Sequence, residues 1–466
     1  MQDYQVLVIG GGPGGYEAAI RLAQYGISCA VIEKERLGGI CLNWGCIPTK
    51  TLVKSAELVR EIHESELFGL PEIKLTLDYA KIWQRKNQVV EQLVGGIEYL
   101  FRKRKIPVIS GTAVRIVKTE DGYQVHCSDD SSYHAKYIIV GTGSQAKSLP
   151  GIPIDEERIL SSTGILAMES LPESLAVVGG GVIGCEFASI FAAFGVKVSI
   201  VEFLPRLVAL EDEEISKRLA LALKKSGIKI YLNTAVQNIQ EIDGQMQLKL
   251  ANGSELIAEK VLMSVGRVPA FDIECEGFEI KTQKSAIVID EKMRSSAAGI
   301  WAIGDVTGKM QLAHTASKQG LLAVEDIAAL LNERPCPKHT LYYPNIPRCT
   351  FTNPEIGSVG LTEVEAKAKY GEIVVGKFPF SANGKAMSMS ATQGFVKSIA
   401  RKDNGQLVGM HIMGPNAAEL IAQGAIMISK EMTAESIEEI VFAHPTLSEA
   451  IMESVEDLRD LSIHKI

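Results

Sequence analysis

A glycine-rich turn that occurs twice constrains this 466-residue chain most. The first copy follows an apolar stretch at residues 6–9 and reads Gly10-x-Gly12-x-x-Gly15. Behind it Ala18, Ala19, Leu22 and Ala23 recur at helical spacing, and a second apolar stretch at 29–32 ends in Glu33. The second copy follows residues 175–178, reads Gly179-x-Gly181-x-x-Gly184, and closes with an apolar stretch at 196–201 and Glu202. In each copy the acidic residue stands 18 positions past the third glycine (33 − 15 and 202 − 184), and the copies start 169 positions apart (179 − 10). Glycines here let a backbone approach a pyrophosphate, the helix start favours its charge, and the terminal carboxylate accepts from a ribose hydroxyl. The spacing therefore predicts an α/β chain with two Rossmann-like dinucleotide-binding units. At the second unit Glu202 selects NAD over NADP, since a carboxylate repels a 2′-phosphate; Arg206, four residues on, is secondary to it.

Soon after the first unit stand Cys41 and Cys46, with glycines on both sides of the pair, then Pro48 and Lys50. A disulfide needs Cα atoms roughly 4.4–6.8 Å apart. Positions i and i+5 lie about 7.5 Å apart along a helix axis and further along a strand. Pairing these sulfurs would need an irregular turn or a distorted helix start, with Gly45 supplying backbone freedom. A helix N-terminus there, with Lys50 nearby, would favour a thiolate at Cys46. Taken alone, the pair reads equally well as two buried thiols.

Composition narrows the partners. A net charge of −8 argues against nucleic acid, and the basic run Arg102-Lys103-Arg104-Lys105 reads as a solvated helix end. Eight scattered cysteines are too few for a secreted disulfide scaffold. No metal site is expected: His126-Cys127 and Cys336-x-x-His339 lack further ligands. A strand reading from residue 4 leaves no room for a leader, and no apolar run reaches membrane-spanning length, so no membrane partner and a cytoplasmic location are expected. Helices are expected over 52–65, 77–103, 417–429 and 437–441. Hairpin segments are expected at 108–117 and 123–127, and late strands at 347–352, 373–379 and 395–401.

The run Gly38-Gly39-Ile40-Cys41-Leu42-Asn43-Trp44-Gly45-Cys46-Ile47-Pro48-Thr49-Lys50 resembles the signature GGTCxNxGCxPxK of the flavin-dependent pyridine nucleotide–disulfide oxidoreductases. Phe442-Ala443-His444-Pro445-Thr446-Leu447-Ser448-Glu449 resembles that family's C-terminal signature, and the likeness runs from about residue 4 to 460. The resemblance implies a Cys41–Cys46 redox disulfide against FAD, attacked at Cys41, with Cys46 lying by the flavin. It implies Lys50 paired with Glu186 beside the flavin, and His444 as acid/base, held by Glu449 and reaching the disulfide of the other subunit. FAD would meet Gly10, Gly12, Gly15, Glu33, Lys50, Ala113, Thr142, Gly143, Asp305, Leu312 and Ala313. NAD would meet Gly179, Gly181, Ile183, Gly184, Glu202, Val236 and Gly266.

The implied architecture is an FAD-binding part with the disulfide (1–148), an NAD-binding part (149–268), a central part completing the FAD site (269–338), and an α+β dimerisation part (339–466). Cys41-Leu42-Asn43, Ile47-Pro48 and Glu202 resemble the branch that oxidises protein-bound dihydrolipoamide to lipoamide and reduces NAD+ to NADH; the chain end carries no second cysteine pair. Partners implied are a second copy of the chain and the lipoyl domain of a 2-oxo acid dehydrogenase complex or a glycine cleavage carrier protein. An NADH-dependent reductase of another disulfide, or a non-turnover NADH-sensing flavoprotein, are the rival readings. Ile40, Trp44, Ala270, Gln311 and Gln319 depart from the family's usual residues.

Overall fold

A computed structural model describes residues 2–331 and 340–465; Cys336 and His339 lie outside the described residues. The first sheet is built from Gln2–Ile9 (β1), Cys29–Glu33 (β2), Val108–Ser110 (β3), Ala113–Lys118 (β4), Tyr123–Cys127 (β5) and Ser132–Val140 (β6). Between β1 and β2 runs helix Pro13–Gln24 (α1), and between β2 and β3 lie Gly39–Trp44 (α2), Cys46–His63 (α3) and Tyr79–Arg104 (α4). β3, β2, β1 and β6 pair in parallel in that order. Every residue of β2 is buried, as expected of a strand covered on both faces.

The second sheet repeats that winding. Ile159–Leu160 (β7), Ser174–Val178 (β8), Lys197–Val201 (β9), Lys229–Tyr231 (β10) and Lys260–Met263 (β11) pair in parallel in the order β10-β9-β8-β11-β7. Helix Val182–Ala193 (α5) joins β8 to β9, and Glu213–Lys225 (α6) joins β9 to β10. The two glycine turns are closed in the same way. A Cβ on Gly10 would lie 2.3 Å from the Gly141 carbonyl, and one on Gly179 would lie 2.4 Å from that of Ser264. Both have positive φ, +100° and +105°, so only glycine fits.

Later segments return to the first sheet. Ile300–Ala302 (β12) adds in parallel to the end of β6, and helix Ala313–Leu330 (α7) packs on α1. That contact is backbone to backbone, since a Cβ on Gly320 would stand 2.5 Å from the Gly14 carbonyl. It brings the start of α7 beside the first glycine turn. The third sheet is antiparallel: Arg348–Thr350 (β13), Glu355–Gly360 (β14), Ile373–Pro379 (β15), Phe395–Arg401 (β16) and Leu407–Gly414 (β17), ordered β13-β14-β17-β16-β15. Ala417–Ser429 (α8), Ala434–Glu438 (α9) and Glu449–Glu456 (α10) complete it. Among the described residues no helix is long and apolar enough to cross a membrane.

Three local expectations differ from the structure. Residues 108–117 do not form one hairpin arm: β3 pairs in parallel with β2, and only β4 pairs with β5. The helix expected at 437–441 lies at 434–438, because Thr433 and Ser436 cap each other at its start. The apolar spacing of Ile437, Ile440 and Val441 pointed past that cap, and Val441 is 94% exposed. Finally, β14 and β17 were not anticipated, since the two glycines in each weaken the strand signal.

Candidate active site

Cys41 and Cys46 sit on either side of a helix break. Cys41 lies in α2 and Cys46 opens α3, with Gly45 between them at φ −147°, ψ −109°. A Cβ on Gly45 would meet the Ile40 carbonyl at 2.9 Å, so glycine keeps the break tight. The Cys41 thiol hydrogen-bonds Cys46 and is itself pushed up, first by that bond and then by burial. Cys46 is drawn down to about 7, first by the bond from Cys41, with Lys50 adding its charge against burial. The head of α2 abuts the first glycine turn, because a Cβ on Gly39 would lie 2.7 Å from the Gly12 Cα.

Lys50, one turn into α3, reaches Glu186 of α5 with Nζ–Oε distances of 3.1 and 3.0 Å. Glu186 is buried and also accepts from the Phe351 N–H at 2.9 Å. The ammonium stands 4.3 Å from the centre of the Phe351 ring. A cation held by a buried carboxylate and an aromatic face is fixed in position beside the thiols. The three partners come from all three sheets' surroundings, so this pair ties the chain's parts together at the sulfur site.

The two glycine turns fit pyrophosphate. α1 and α5 both start without a side-chain cap and without an acidic residue in the first turn. A Cβ on Gly12 or Gly181 would meet nothing within 4 Å, so open space lies over both uncapped helix starts, while Cβ atoms on Gly15 and Gly184 would strike their own turns at 1.9 and 2.1 Å. Such a terminus presents free N–H groups and positive potential to an anion. Glu33 accepts from the N–H groups of Gly11 (2.6 Å) and Glu35 (2.9 Å), and Glu202 from those of Gly180 and Leu204 (2.7 Å). Each carboxylate keeps lone pairs for a ribose hydroxyl. Beside Glu33 a cavity of about 400 Å³ is lined by the apolar Leu37, Phe101, Ile106 and Val108 and by the charged Glu35, Arg36, Glu98 and Arg102. The site chemistry therefore fits FAD at the first turn and NAD at the second. Arg206 donates to the Ala209 carbonyl at 2.8 Å and lies 3.4 Å from Glu213.

Other expected contacts are placed as follows. Asp305, just after β12, is half-buried; burial raises its carboxyl, while Ser144 Oγ donates to it at 2.5 Å and Arg267 attracts it. Thr142 Oγ1 donates to the Ala270 carbonyl, and Gly143 and Gly266 hold positive φ facing open space. Leu312 is the N-cap of α7 and gives it no side-chain cap; Ala313 follows, and the buried Thr315 hydroxyl has no partner. Ala113 is buried at the start of β4, away from the lining of the Glu33 cavity. Ile183 lies half-buried in the first turn of α5, and Val236 half-buried at the start of the strand Val236–Ile242.

His444 is brought to Glu449 but not to the thiols of its own chain. Its Nδ1 lies 2.8 Å from Glu449 Oε1, and its ring is 79% exposed. Burial pushes the Glu449 carboxyl up, yet the Thr446 N–H and His444 together hold it below the usual range. The charged groups acting most strongly on the thiols are Lys50 and Glu186. Among the described residues no cluster suited to a metal ion occurs.

Several residues that shape the site are not among the expected cofactor contacts. Arg267 donates to Ser144 Oγ (2.8 Å) and to the Ser144 carbonyl (2.7 Å), joining the second unit to Asp305. Gln319 is fully buried, accepting from the Gly304 N–H (2.6 Å) and donating to Tyr343 Oη (2.9 Å). Both link segments more than a hundred residues apart or separate elements, where spacing is silent. Trp44 donates to Glu35 at 3.2 Å and Ile40 is partly exposed beside Cys41.

Comparison with known proteins gives one consistent result. Residues 4–320 match the pyridine nucleotide-disulphide oxidoreductase family model, and residues 346–455 match that family's dimerisation domain. The chain is 40% identical to a dihydrolipoyl dehydrogenase of Zymomonas mobilis, with 97% of each chain covered. It is 38% identical to one of Bacillus subtilis, with 99% of each covered. Among solved structures it superposes on LpdA of Mycobacterium tuberculosis with TM-score 0.88 at 25% identity, covering 98% of this chain and all of that one. It superposes on RclA of Escherichia coli, a HOCl-induced flavoprotein disulfide reductase, with TM-score 0.85 at 29% identity, covering 97% and 99%.

Proposed function

This chain belongs to the pyridine nucleotide–disulphide oxidoreductase family, and from that premise we propose that it oxidises protein-bound dihydrolipoamide to lipoamide and reduces NAD+ to NADH. The observation that carries the reading is the placement of the thiol pair. Cys46 is drawn toward its thiolate at the start of α3, and the head of α2, the helix that carries Cys41, touches the uncapped glycine turn. FAD and NAD are its cofactors, and the chain works as a homodimer through its dimerisation domain.

The chain's own residues account for the sulfur chemistry. One thiol of dihydrolipoamide gives its proton to His444 and attacks Cys41 of the oxidised pair. The Cys41–Cys46 bond breaks and Cys46 leaves as thiolate beside Lys50; once Cys41 is released as a thiol, its hydrogen bond holds that thiolate. The second substrate thiol then attacks the mixed disulfide, its proton passing to the departing Cys41 sulfur, which releases lipoamide and leaves the pair reduced by two electrons as Cys41 thiol and Cys46 thiolate. When bound, FAD carries those two electrons from the sulfur pair to NAD+ as hydride. Glu449 fixes the tautomer and orientation of His444. The exposed ring of His444, turned out from its own chain, supports a role in the second subunit's site. Lys50 with Glu186 holds one positive charge beside Cys46, and Gly10, Gly12, Gly15 and Glu33 bind FAD while Gly179, Gly181, Gly184 and Glu202 bind NAD.

We assign residues 1–148 and 269–338 to the FAD-binding parts, 149–268 to the NAD-binding part and 339–466 to the dimerisation part. The lipoyl carrier is a domain of a 2-oxo acid dehydrogenase complex or of the glycine cleavage system, met in the cytoplasm. The test is NAD+ reduction by dihydrolipoamide with the FAD-loaded protein. Rapid turnover supports the reading; faster NAD(P)H oxidation with glutathione disulfide would replace the substrate.

A further inference from the structure

The chain returns to both glycine turns in the same way but with different residues. In the first unit the Gly38 N–H donates to the Gly11 carbonyl at 2.8 Å, and Gly38 holds φ +94°. In the second unit the Val208 N–H donates to the Gly180 carbonyl, also at 2.8 Å, and Val208 holds φ +39°. A β-branched residue in that region is a strained outlier and persists only where its surroundings over-determine it. Val208 and Leu207 are buried, while Phe203, Leu204 and Leu210 around them are exposed. Residues 203–212 thus form a strap pinned at Gly180 and continuing into an acidic run, Glu211, Asp212, Glu213 and Glu214.

What receives that run is a single rung of the third sheet. Arg348, Ser358, His411, Lys397 and Lys377 are direct cross-strand partners from β13 through β14, β17 and β16 to β15. Arg348 pairs with Glu211 at 3.1 Å, Lys397 with Asp212 at 2.9 Å, and Lys377 with Glu214 at 2.7 Å. Glu211 and Asp212 are buried, Lys397 is 2% exposed, and Glu363 also reaches Lys397 at 2.7 Å. Paired charges this deep are costly to separate, because removing one partner strands the other.

We infer that Arg348, Lys397 and Lys377 are positioning residues for the second dinucleotide: they hold the strained strap down on the Gly179–Gly184 turn and so set the affinity for NAD(H). The inference rests on reading that turn as the NAD site. None of the three touches the nucleotide; they act through Val208 and the backbone of the turn, and they tie the dimerisation domain to nucleotide binding.

The experiment measures NADH binding by fluorescence quenching, together with steady-state kinetics, on FAD-loaded dimers. Lys397→Met and Arg348→Met are expected to raise both the NADH Kd and the NAD+ KM about tenfold or more. kcat and the KM for dihydrolipoamide stay within about twofold, and Lys397→Arg restores most of the affinity. Arg459→Met, which breaks the Arg459–Glu438 pair elsewhere in the same domain, lowers Tm without moving the NADH Kd. If Lys397→Met fails to fold, Lys377→Met, at the half-exposed sheet edge, is expected to give a smaller rise in the same constants. Failure of the unsubstituted protein to bind NADH would overturn the NAD reading and this inference with it. Binding that neither Arg348→Met nor Lys377→Met changes would overturn this inference alone.

Discussion

Replacing Cys41 with alanine removes the first cause of the low Cys46 pKa while leaving Lys50 and the helix start in place. Cys46 is drawn to about 7, against an ordinary thiol value of 9.0. At pH 7 that corresponds to about half the molecules as thiolate, against about 1% for an unperturbed thiol. Burial opposes the charged form at this position, so without the Cys41 donor the midpoint is expected to rise toward or past 9. The more basic thiolate is about tenfold more nucleophilic, which returns part of the loss in rate. The midpoint, not the rate, is therefore the clean readout. The assay follows iodoacetamide labelling of the Cys46 peptide by mass spectrometry between pH 5 and pH 10, roughly the range in which thiols titrate. Cys41→Ser keeps a donor and should hold the midpoint near that of the reduced parent. A Cys41→Ala midpoint still near 7 would refute the reasoning and assign the depression to Lys50 and the helix N-terminus.

Other expectations follow from the same geometry. His444→Gln should slow dithiol oxidation by about 10²–10⁴ while NADH oxidation by artificial acceptors is spared; equal loss of both would remove His444 from the sulfur step. Gly12→Ala adds a methyl where nothing lies within 4 Å, so the protein without FAD should keep its Tm while FAD binding is lost; a variant that still binds FAD would move the pyrophosphate elsewhere. Lys86 is buried with its ammonium on the Leu166 carbonyl at 2.6 Å, and burial lowers its pKa from 10.5 to about 8. The unfolded chain then holds more protons between about pH 8 and pH 10.5, so stability should rise with pH across that window, by up to about 3 kcal/mol. Lys86→Met should abolish that rise, and a parent protein whose denaturation midpoint is flat over the window would contradict it.

The sequence exposed what depends on local spacing. Both glycine turns, with the glutamates 18 residues on, were legible because one turn and one strand fix every group involved, and the sheets wound on β1 and β8 repeat accordingly. The likeness around Cys41–Lys50 and His444–Glu449 named candidate residues, but their partners lie far away in the chain. Lys50 and Glu186 are 136 positions apart, and only three-dimensional packing brings Phe351 to both. β14 and β17 were not expected because each carries two glycines, which weaken a strand signal, whereas the equally buried β2 and β16 carry none. The rung from Arg348 to Lys377 was illegible for a deeper reason. Those five residues share no motif, and their meeting depends on the register of four separate strand pairings, which a one-residue slip in any strand would undo. The cap at Thr433 was written in the sequence and was overridden there by the more conspicuous apolar spacing behind it.

The central claim is that electrons enter at a sulfur pair whose proton acceptor belongs to the other subunit, and mixed dimers test it most directly. Cys41→Ser and His444→Gln chains, each inactive alone in NAD+ reduction by dihydrolipoamide, are co-expressed and purified as FAD-loaded dimers. Random pairing makes half of them mixed, and each mixed dimer regains one intact site of two, so about a quarter of the parent activity is expected. Mixed dimers as inactive as either homodimer would contradict the account.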